Sequence, residues 1–153
     1  MDQDSIETAY APFVAALREG GFAAPAEGWP AELVAAHVSR NNDLIAEAAE
    51  RIVSGEQPTY DNKAAVDDAE LRSYADGVDG LAGLADAVET SARRLATAWA
   101  ALDEATEGYL LPAVIVHGGT VVNDEPIPIR KFIEGNATFH LDMHFNQLNA
   151  LRS

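Results

Sequence analysis

The chain has 153 residues, enough for one domain with a substantial buried core, and it contains no cysteine. Neither a disulfide nor a thiolate metal site can form, so a bound metal would be held by nitrogen and oxygen ligands. Twenty-five acidic against ten basic side chains give a net charge of −15, which disfavours binding to nucleic acid or to anionic lipid.

The first part of the chain contains two predicted helices separated by a turn. An apolar stripe predicts the first helix over residues 5–19, and Gly20-Gly21 marks its end. Pro30 is favourable at the first position of a helix, and the second helix is predicted from there to about residue 53. Residues 57–66, which include a proline, are predicted to form a loop.

Residues 67–104 have the clearest helical period in the chain. Apolar residues recur there at alternating steps of three and four, which is typical of a long bundle helix. Gly77, Gly80 and Gly83 would each weaken such a helix by about 1 kcal/mol relative to Ala. Because the apolar stripe passes through them, we predict one uninterrupted third helix.

The period changes after the third helix. Apolar β-branched residues on both sides of Gly118-Gly119 predict a β-hairpin over residues 114–122, and a last helix is predicted over residues 129–151. These patterns together predict an all-α fold. We expect an antiparallel four-helix bundle with a short β-hairpin between helices 3 and 4, in one domain over residues 1–153.

Three of the four histidines are predicted to lie on buried helical faces. At about 100° per residue, His37 is central in the apolar stripe of the second helix, as are His140 and His144 in the last helix. Histidines at i and i+4 project to the same side, and a third imidazole from a facing helix would complete a site for a divalent metal with open positions. The alternative is that they are hydrogen-bonded core residues without a ligand. His117, beside the hairpin turn, is expected to be exposed.

Two amide side chains share these faces with the histidines. Asn41 and Gln147 are candidate cofactor-site residues, because a buried amide needs a partner and can orient an imidazole or a bound water. The alternative is that they form a buried amide pair satisfied within the protein. No Asp or Glu falls in the same arcs of the second and last helices, so the sequence predicts no catalytic base.

The histidine pattern resembles that of a known family. His37 in the second helix and the motif H-x-x-x-H-x-x-Q-L over residues 140–148 resemble the DinB-like superfamily, and W-P-A-E-L-V-A-A-H-V over residues 29–38 is similar to its second-helix opening. That superfamily includes mycothiol-dependent maleylpyruvate isomerases and bacillithiol-dependent thiol S-transferases. The resemblance implies an often dimeric bundle with zinc or a nickel-like ion held by His37, His140 and His144. The isomerases differ in commonly having Glu at the position of His140 and in carrying an extra C-terminal domain.

The sequence and the resemblance together suggest a function. We expect a metal-dependent transferase or isomerase that acts on a small electrophilic molecule, with mycothiol or a similar low-molecular-weight thiol. A non-catalytic bundle that binds a small ligand or a metal is the alternative. The expected partners are a small-molecule substrate and a second copy of the chain, with no nucleic acid and no membrane. The acidic start lacks the pattern of a signal peptide and no apolar run approaches membrane-spanning length, so a cytoplasmic protein is expected.

Overall fold

The computed structural model describes residues 1–152, and most of these residues are helical. None of the helices in this part of the chain is long and apolar enough to cross a membrane. In chain order the elements are α1 (Gln3–Glu19), α2 (Ala31–Val53), β1 (Tyr60–Asp61), α3 (Lys63–Val66), α4 (Asp68–Asp76), α5 (Gly80–Ala101), β2 (Leu110–Leu111), β3 (Ala113–His117), β4 (Thr120–Asn123), β5 (Ile127–Pro128), α6 (Ile129–Gly135), a π-helical turn (Asn136–His140) and α7 (Leu141–Ala150).

The three longest helices form the main core, with α5 packed against both α1 and α2. A capping box begins α1: the Asp2 carboxylate accepts from the Ser5 N–H, and the Ser5 hydroxyl oxygen accepts from the Asp2 N–H, both at 2.8 Å. Each helix buries its apolar stripe, and Phe13, Ile45 and Leu95 are fully buried representatives of the three stripes. Burying these stripes against one another supplies the main stabilisation of the fold.

The predicted all-α four-helix bundle is wrong, because the described residues also form five strands in two small sheets. The predicted hairpin is present as β3 and β4, and Gly118 and Gly119 take the positive φ angles that its turn requires, 57° and 79°. However, β1 pairs in parallel with β3, and β2 pairs in antiparallel orientation with β5. Strands of two residues have no alternating pattern to detect, so these pairings leave no signal in the sequence.

The predicted helix over residues 67–104 is also interrupted. The first part of it is α4, which ends at Asp76, and the second part begins at Gly80, whose φ is +63°. A residue with positive φ cannot continue a right-handed helix, so Gly80 breaks the helix instead of merely weakening it, whereas Gly83 lies inside α5. The apolar stripe continues across the break because α4 and α5 both pack against α2.

The last helical region changes its winding in the middle. The π-helical turn follows α6 directly and leads directly into α7, so that His140 is the last residue of the π-helical turn. Such a turn accommodates one extra residue, which rotates the residues after it by about 100° relative to a continuous α-helix. The winding at residues 136–140 therefore determines the direction in which His140 and α7 present their side chains.

Candidate metal centre

Three histidines from distant parts of the chain lie together. His37 is in α2, His140 ends the π-helical turn, and His144 lies one turn later in α7. One nitrogen atom from each ring lies within 4.8 Å of the others. The Nε2 atom of His140 is 3.0 Å from Nε2 of His37 and 3.1 Å from Nε2 of His144. The three histidines that the sequence pattern selected can therefore hold a metal ion together.

The outer nitrogens of two of these rings have hydrogen-bond acceptors. Nδ1 of His37 donates to the carbonyl oxygen of Ala65 at 2.5 Å, and Nδ1 of His144 donates to Oε1 of Gln147 at 2.7 Å. A neutral imidazole that carries its proton on Nδ1 has a free lone pair on Nε2. Both Nε2 lone pairs therefore face Nε2 of His140.

This arrangement fits a divalent metal ion. The three Nε2 atoms cannot all be satisfied by hydrogen bonds to one another. A proton on Nε2 of His140 can be donated to only one of the two lone pairs that face it. A metal ion accepts all three lone pairs, and tetrahedral ligands at 2.0–2.1 Å lie about 3.3 Å apart. The observed separations of 3.0 and 3.1 Å are close to that value. Imidazole nitrogens suit zinc, nickel, copper and iron, and three of them leave a position for a further ligand.

Burial favours the metal-binding form of these imidazoles. Burial, aided by the nearby ring of His144, lowers the pKa of His37 to about 4, although the hydrogen bond to Ala65 opposes this shift. Burial, aided by both neighbouring imidazoles, lowers the pKa of His140 to about 2. Burial also lowers the pKa of His144, against the effect of Gln147. Neutral imidazole is the form that binds a metal, so all three residues are in the protonation state that coordinates a metal at neutral pH.

An aromatic side chain lies against the cluster. The ring of Trp29 is 5.1 Å from the ring of His37, measured between centroids, and its indole N–H donates to the Asp68 carboxylate at 2.9 Å. Trp29 is on the segment before α2, and Asp68 is in the first turn of α4. The hydrogen bond therefore holds the indole over one side of the site. Sequence reasoning used Trp29 only as part of the family resemblance and missed its contact with His37.

The β-hairpin also approaches the site. His117 ends β3 and is exposed, yet it is close enough to contribute to the lowered pKa values of His37 and His144. Asn62 joins this strand to α3, because its side chain donates to the Val116 carbonyl at 2.9 Å and accepts from the Val116 N–H at 2.8 Å. The exposure of His117 agrees with the sequence, but its proximity to the site depends on the unpredicted pairing of β1 with β3.

The two predicted amides have different positions. Gln147 lies at the site, where it accepts from His144. Asn41 makes its hydrogen bonds elsewhere: its amide donates to Oδ1 of Asn136 at 2.8 Å, and its oxygen accepts from the Tyr60 hydroxyl. The role of both amides at a cofactor remains a prediction, and the structure brings only Gln147 into contact with a histidine of the cluster.

Comparison with known proteins does not assign the chain to a family. No family model, no curated protein and no solved structure matches it significantly. The resemblance to the DinB-like superfamily therefore rests on the short motifs around the histidines.

Proposed function

We propose that the protein is a metal-dependent transferase or isomerase that acts on a small electrophilic molecule together with a low-molecular-weight thiol. Its metal would be zinc or nickel, bound by His37, His140 and His144. The observation that carries the proposal is the convergence of three Nε2 atoms, from the buried imidazoles of His37 and His144 and the half-buried imidazole of His140. When bound, the ion would lower the pKa of a coordinating thiol or water and so provide a nucleophile at neutral pH.

The side chains around the ligands have separate tasks in this proposal. The Ala65 carbonyl and the Gln147 amide fix the rings of His37 and His144 with Nε2 inward, which is the usual role of groups that contact metal ligands from outside. Trp29 lies against the ring of His37 and limits the access of water on that side. These residues prepare the site before any ion or substrate arrives.

The charge of the site and the family resemblance favour a thiol as the cofactor. Three neutral imidazoles leave the charge of a divalent ion uncompensated, so an anionic ligand such as a thiolate is favoured at the remaining position. The chain contains no cysteine and so cannot supply a thiolate itself. The motifs at His37 and at residues 140–148 also resemble those of mycothiol- and bacillithiol-dependent enzymes.

A second candidate function is non-catalytic binding of a metal or a small ligand. One observation favours it: among residues 1–152, the group of side chains that could hold a metal at this site consists of the three histidines alone, and no carboxylate joins them. A carboxylate near the metal would be the usual general base of a catalytic site. A binding protein needs no such group.

Thiol-dependent turnover distinguishes the two functions. Zinc- or nickel-loaded protein is mixed with mycothiol or bacillithiol and a panel of electrophiles, and conjugation and cis–trans isomerisation are followed. We expect a thiol-dependent rate above the uncatalysed reaction that is lost in His144→Ala. Asp142→Asn is the matched control, because Asp142 is exposed on the same helix and should leave the rate unchanged. Equal rates in wild type and His144→Ala would contradict catalysis at this site, and no rate above the uncatalysed reaction would favour the binding protein.

A further inference from the structure

A second group of polar side chains lies buried in the core and reaches the segment that carries His140. We call it the amide network; it consists of Tyr10, Asn41, Asn42, Tyr60, Ser91 and Asn136. Each of these residues is at most 5% exposed. They come from α1, α2, β1, α5 and the π-helical turn, so the network connects the main helical core to the last helical region.

Asn136 is the only member of the network in the π-helical turn, and both of its amide hydrogens and its oxygen have partners. Its Nδ2 donates to Oδ1 of Asn42 at 2.7 Å and to the hydroxyl of Tyr10 at 3.0 Å. Its Oδ1 accepts from Nδ2 of Asn41 at 2.8 Å. The side chain therefore makes three hydrogen bonds with residues of α1 and α2, at 4% exposure.

These hydrogen bonds fix the rotation of the chain at the start of the π-helical turn. Turning Asn136 away from the network would leave buried donors and acceptors unpaired, at a cost of about 1–3 kcal/mol for each group. One residue of rotation in an α-helix is about 100°, which would be enough to break all three bonds. Asn136 is the first residue of the turn and His140 is the last, so the orientation held at one end determines where the other end points.

We propose that Asn136 is a positioning residue for the metal centre: through the amide network it holds the π-helical turn in the winding that brings His140 against His37. This proposal rests on the proposed metal site, but it also makes a claim about the protein without metal. Apart from His140 itself, the other residue of the turn with a side-chain hydrogen bond is Thr138, whose hydroxyl donates to the Glu134 carbonyl at 2.7 Å. That bond is exposed and local to the helix, and it connects the turn to no other element.

The first test measures metal binding by the full chain. Zinc affinity is determined by competition with a chelator, and coordination geometry is followed by the visible absorption of bound Co²⁺. Asn136→Ala should weaken zinc binding about 10–100-fold, as for other residues that orient metal ligands, and should change the Co²⁺ spectrum. Two controls should keep the affinity and spectrum of wild type. Ser39→Ala removes a buried hydroxyl that pairs with Tyr74 outside the network, and Thr138→Ala removes the local bond within the turn.

The second test needs no metal. Nuclear Overhauser contacts between the rings of His37 and His140 are measured in the metal-free proteins, where the ring centroids of wild type are 5.0 Å apart. Asn136→Ala should lose these contacts while the amide spectrum stays that of a folded protein. If Asn136→Ala does not fold, Tyr10→Phe removes one of the acceptors of Asn136 and should shift the ring of His140 in the same way to a smaller extent.

The outcomes separate this proposal from the metal site itself. If wild type binds no zinc but the ring contacts are lost only in Asn136→Ala, the metal proposal fails and the positioning role stands. The positioning role is overturned if Asn136→Ala keeps both the ring contacts and wild-type affinity. It is also overturned if Ser39→Ala or Thr138→Ala produces the same loss, because the effect would then reflect general destabilisation or the local bond of Thr138.

Discussion

The imidazole of His37 has a different partner on each of its two nitrogens. Nδ1 donates to the Ala65 carbonyl and Nε2 faces His140, so the backbone of α3 determines which nitrogen is available to a metal. In His144, likewise, Nδ1 donates to Gln147 and Nε2 faces His140. At the scale of single residues, the site therefore depends on hydrogen bonds made outside the cluster as well as on the three histidines.

Removal of one imidazole should abolish stoichiometric metal binding. His140→Ala leaves two ligands in place of three, so zinc or nickel bound per chain should fall from one to near zero after loading and dialysis. Metal content is measured on protein purified without a histidine tag, and helical circular dichroism checks the fold. His117→Ala is the matched control, since it removes an exposed histidine outside the cluster. Retention of one tightly bound metal ion by His140→Ala would show that the ion is held elsewhere.

Acid should destabilise the metal-free protein through the histidines of the cluster. In the folded chain burial lowers the pKa of His37 to about 4 and that of His140 to about 2, whereas an unfolded imidazole titrates near 6.5. Below pH 6.5 the unfolded chain therefore binds protons that the folded chain does not. The free energy of unfolding should be greatest above pH 6.5 and fall with pH by about 1.4 kcal/mol per unit for each such histidine.

Urea denaturation of the metal-free protein between about pH 7.5 and about pH 5 measures this effect, in a range where the imidazoles titrate before most carboxylates. In His140→Gln the dependence on pH should be shallower by about 1.4 kcal/mol per unit, because one histidine no longer contributes. A free energy of unfolding that stays constant on acidification through this range would mean that these imidazoles are not kept neutral by the fold.

At the scale of secondary-structure elements, two short segments orient two of the candidate metal ligands. Helix α3 offers the carbonyl that holds His37, and Asn62 connects α3 to β3 through two hydrogen bonds with Val116. The π-helical turn directs His140. The long helices supply the core, whereas these shorter elements determine the geometry of the site.

Asn62→Ala should weaken both the fold and the site. The substitution leaves the N–H and carbonyl of Val116 without their side-chain partner, which costs about 1–3 kcal/mol for each group that stays unpaired. Because the side-chain bonds between the start of α3 and β3 are then lost, zinc affinity should also fall. Urea denaturation and chelator competition measure the two effects.

Asn123→Ala is the control for this experiment. Its amide bonds the Ala113 and Glu125 carbonyls in the same part of the hairpin, without contact to α3. It should lower stability and leave zinc affinity unchanged. Equal zinc affinity in Asn62→Ala and wild type would contradict the role of α3 in orienting His37.

The histidine cluster could be predicted from the sequence, but the elements that orient it could not. Helical periodicity is local. The i, i+4 spacing of His140 and His144 and the position of His37 in its apolar stripe were therefore sufficient to predict that the three imidazoles share one site. The π-helical turn depends on hydrogen bonds from Asn136 to side chains at least 94 residues away in sequence. The pairing of β1 with β3 likewise joins distant segments. The all-α prediction failed for this reason, since local patterns carry no information about such partners.

At the scale of the whole molecule, the net charge of −15 should make stability depend on salt. Raising the ionic strength from about 0.01 M to about 0.15 M shortens the Debye length from about 30 Å to about 8 Å and screens repulsion among the acidic groups. Exposed ion pairs such as Arg94 with Glu50 act in the opposite direction, but each contributes about 1 kcal/mol or less. The melting temperature of the metal-free protein should therefore rise over this range. A fall would mean that local ion pairs outweigh the net charge.

A crystal structure of the zinc-loaded protein with anomalous diffraction data tests the central claim most directly. We predict one strong zinc peak surrounded by Nε2 of His37, His140 and His144, each about 2.0–2.1 Å from the ion. Nδ1 of His37 should keep its hydrogen bond to Ala65, and Nδ1 of His144 its bond to Gln147, as in the present structure. A structure in which the three rings point apart, or in which zinc is bound only by surface carboxylates, would contradict the account.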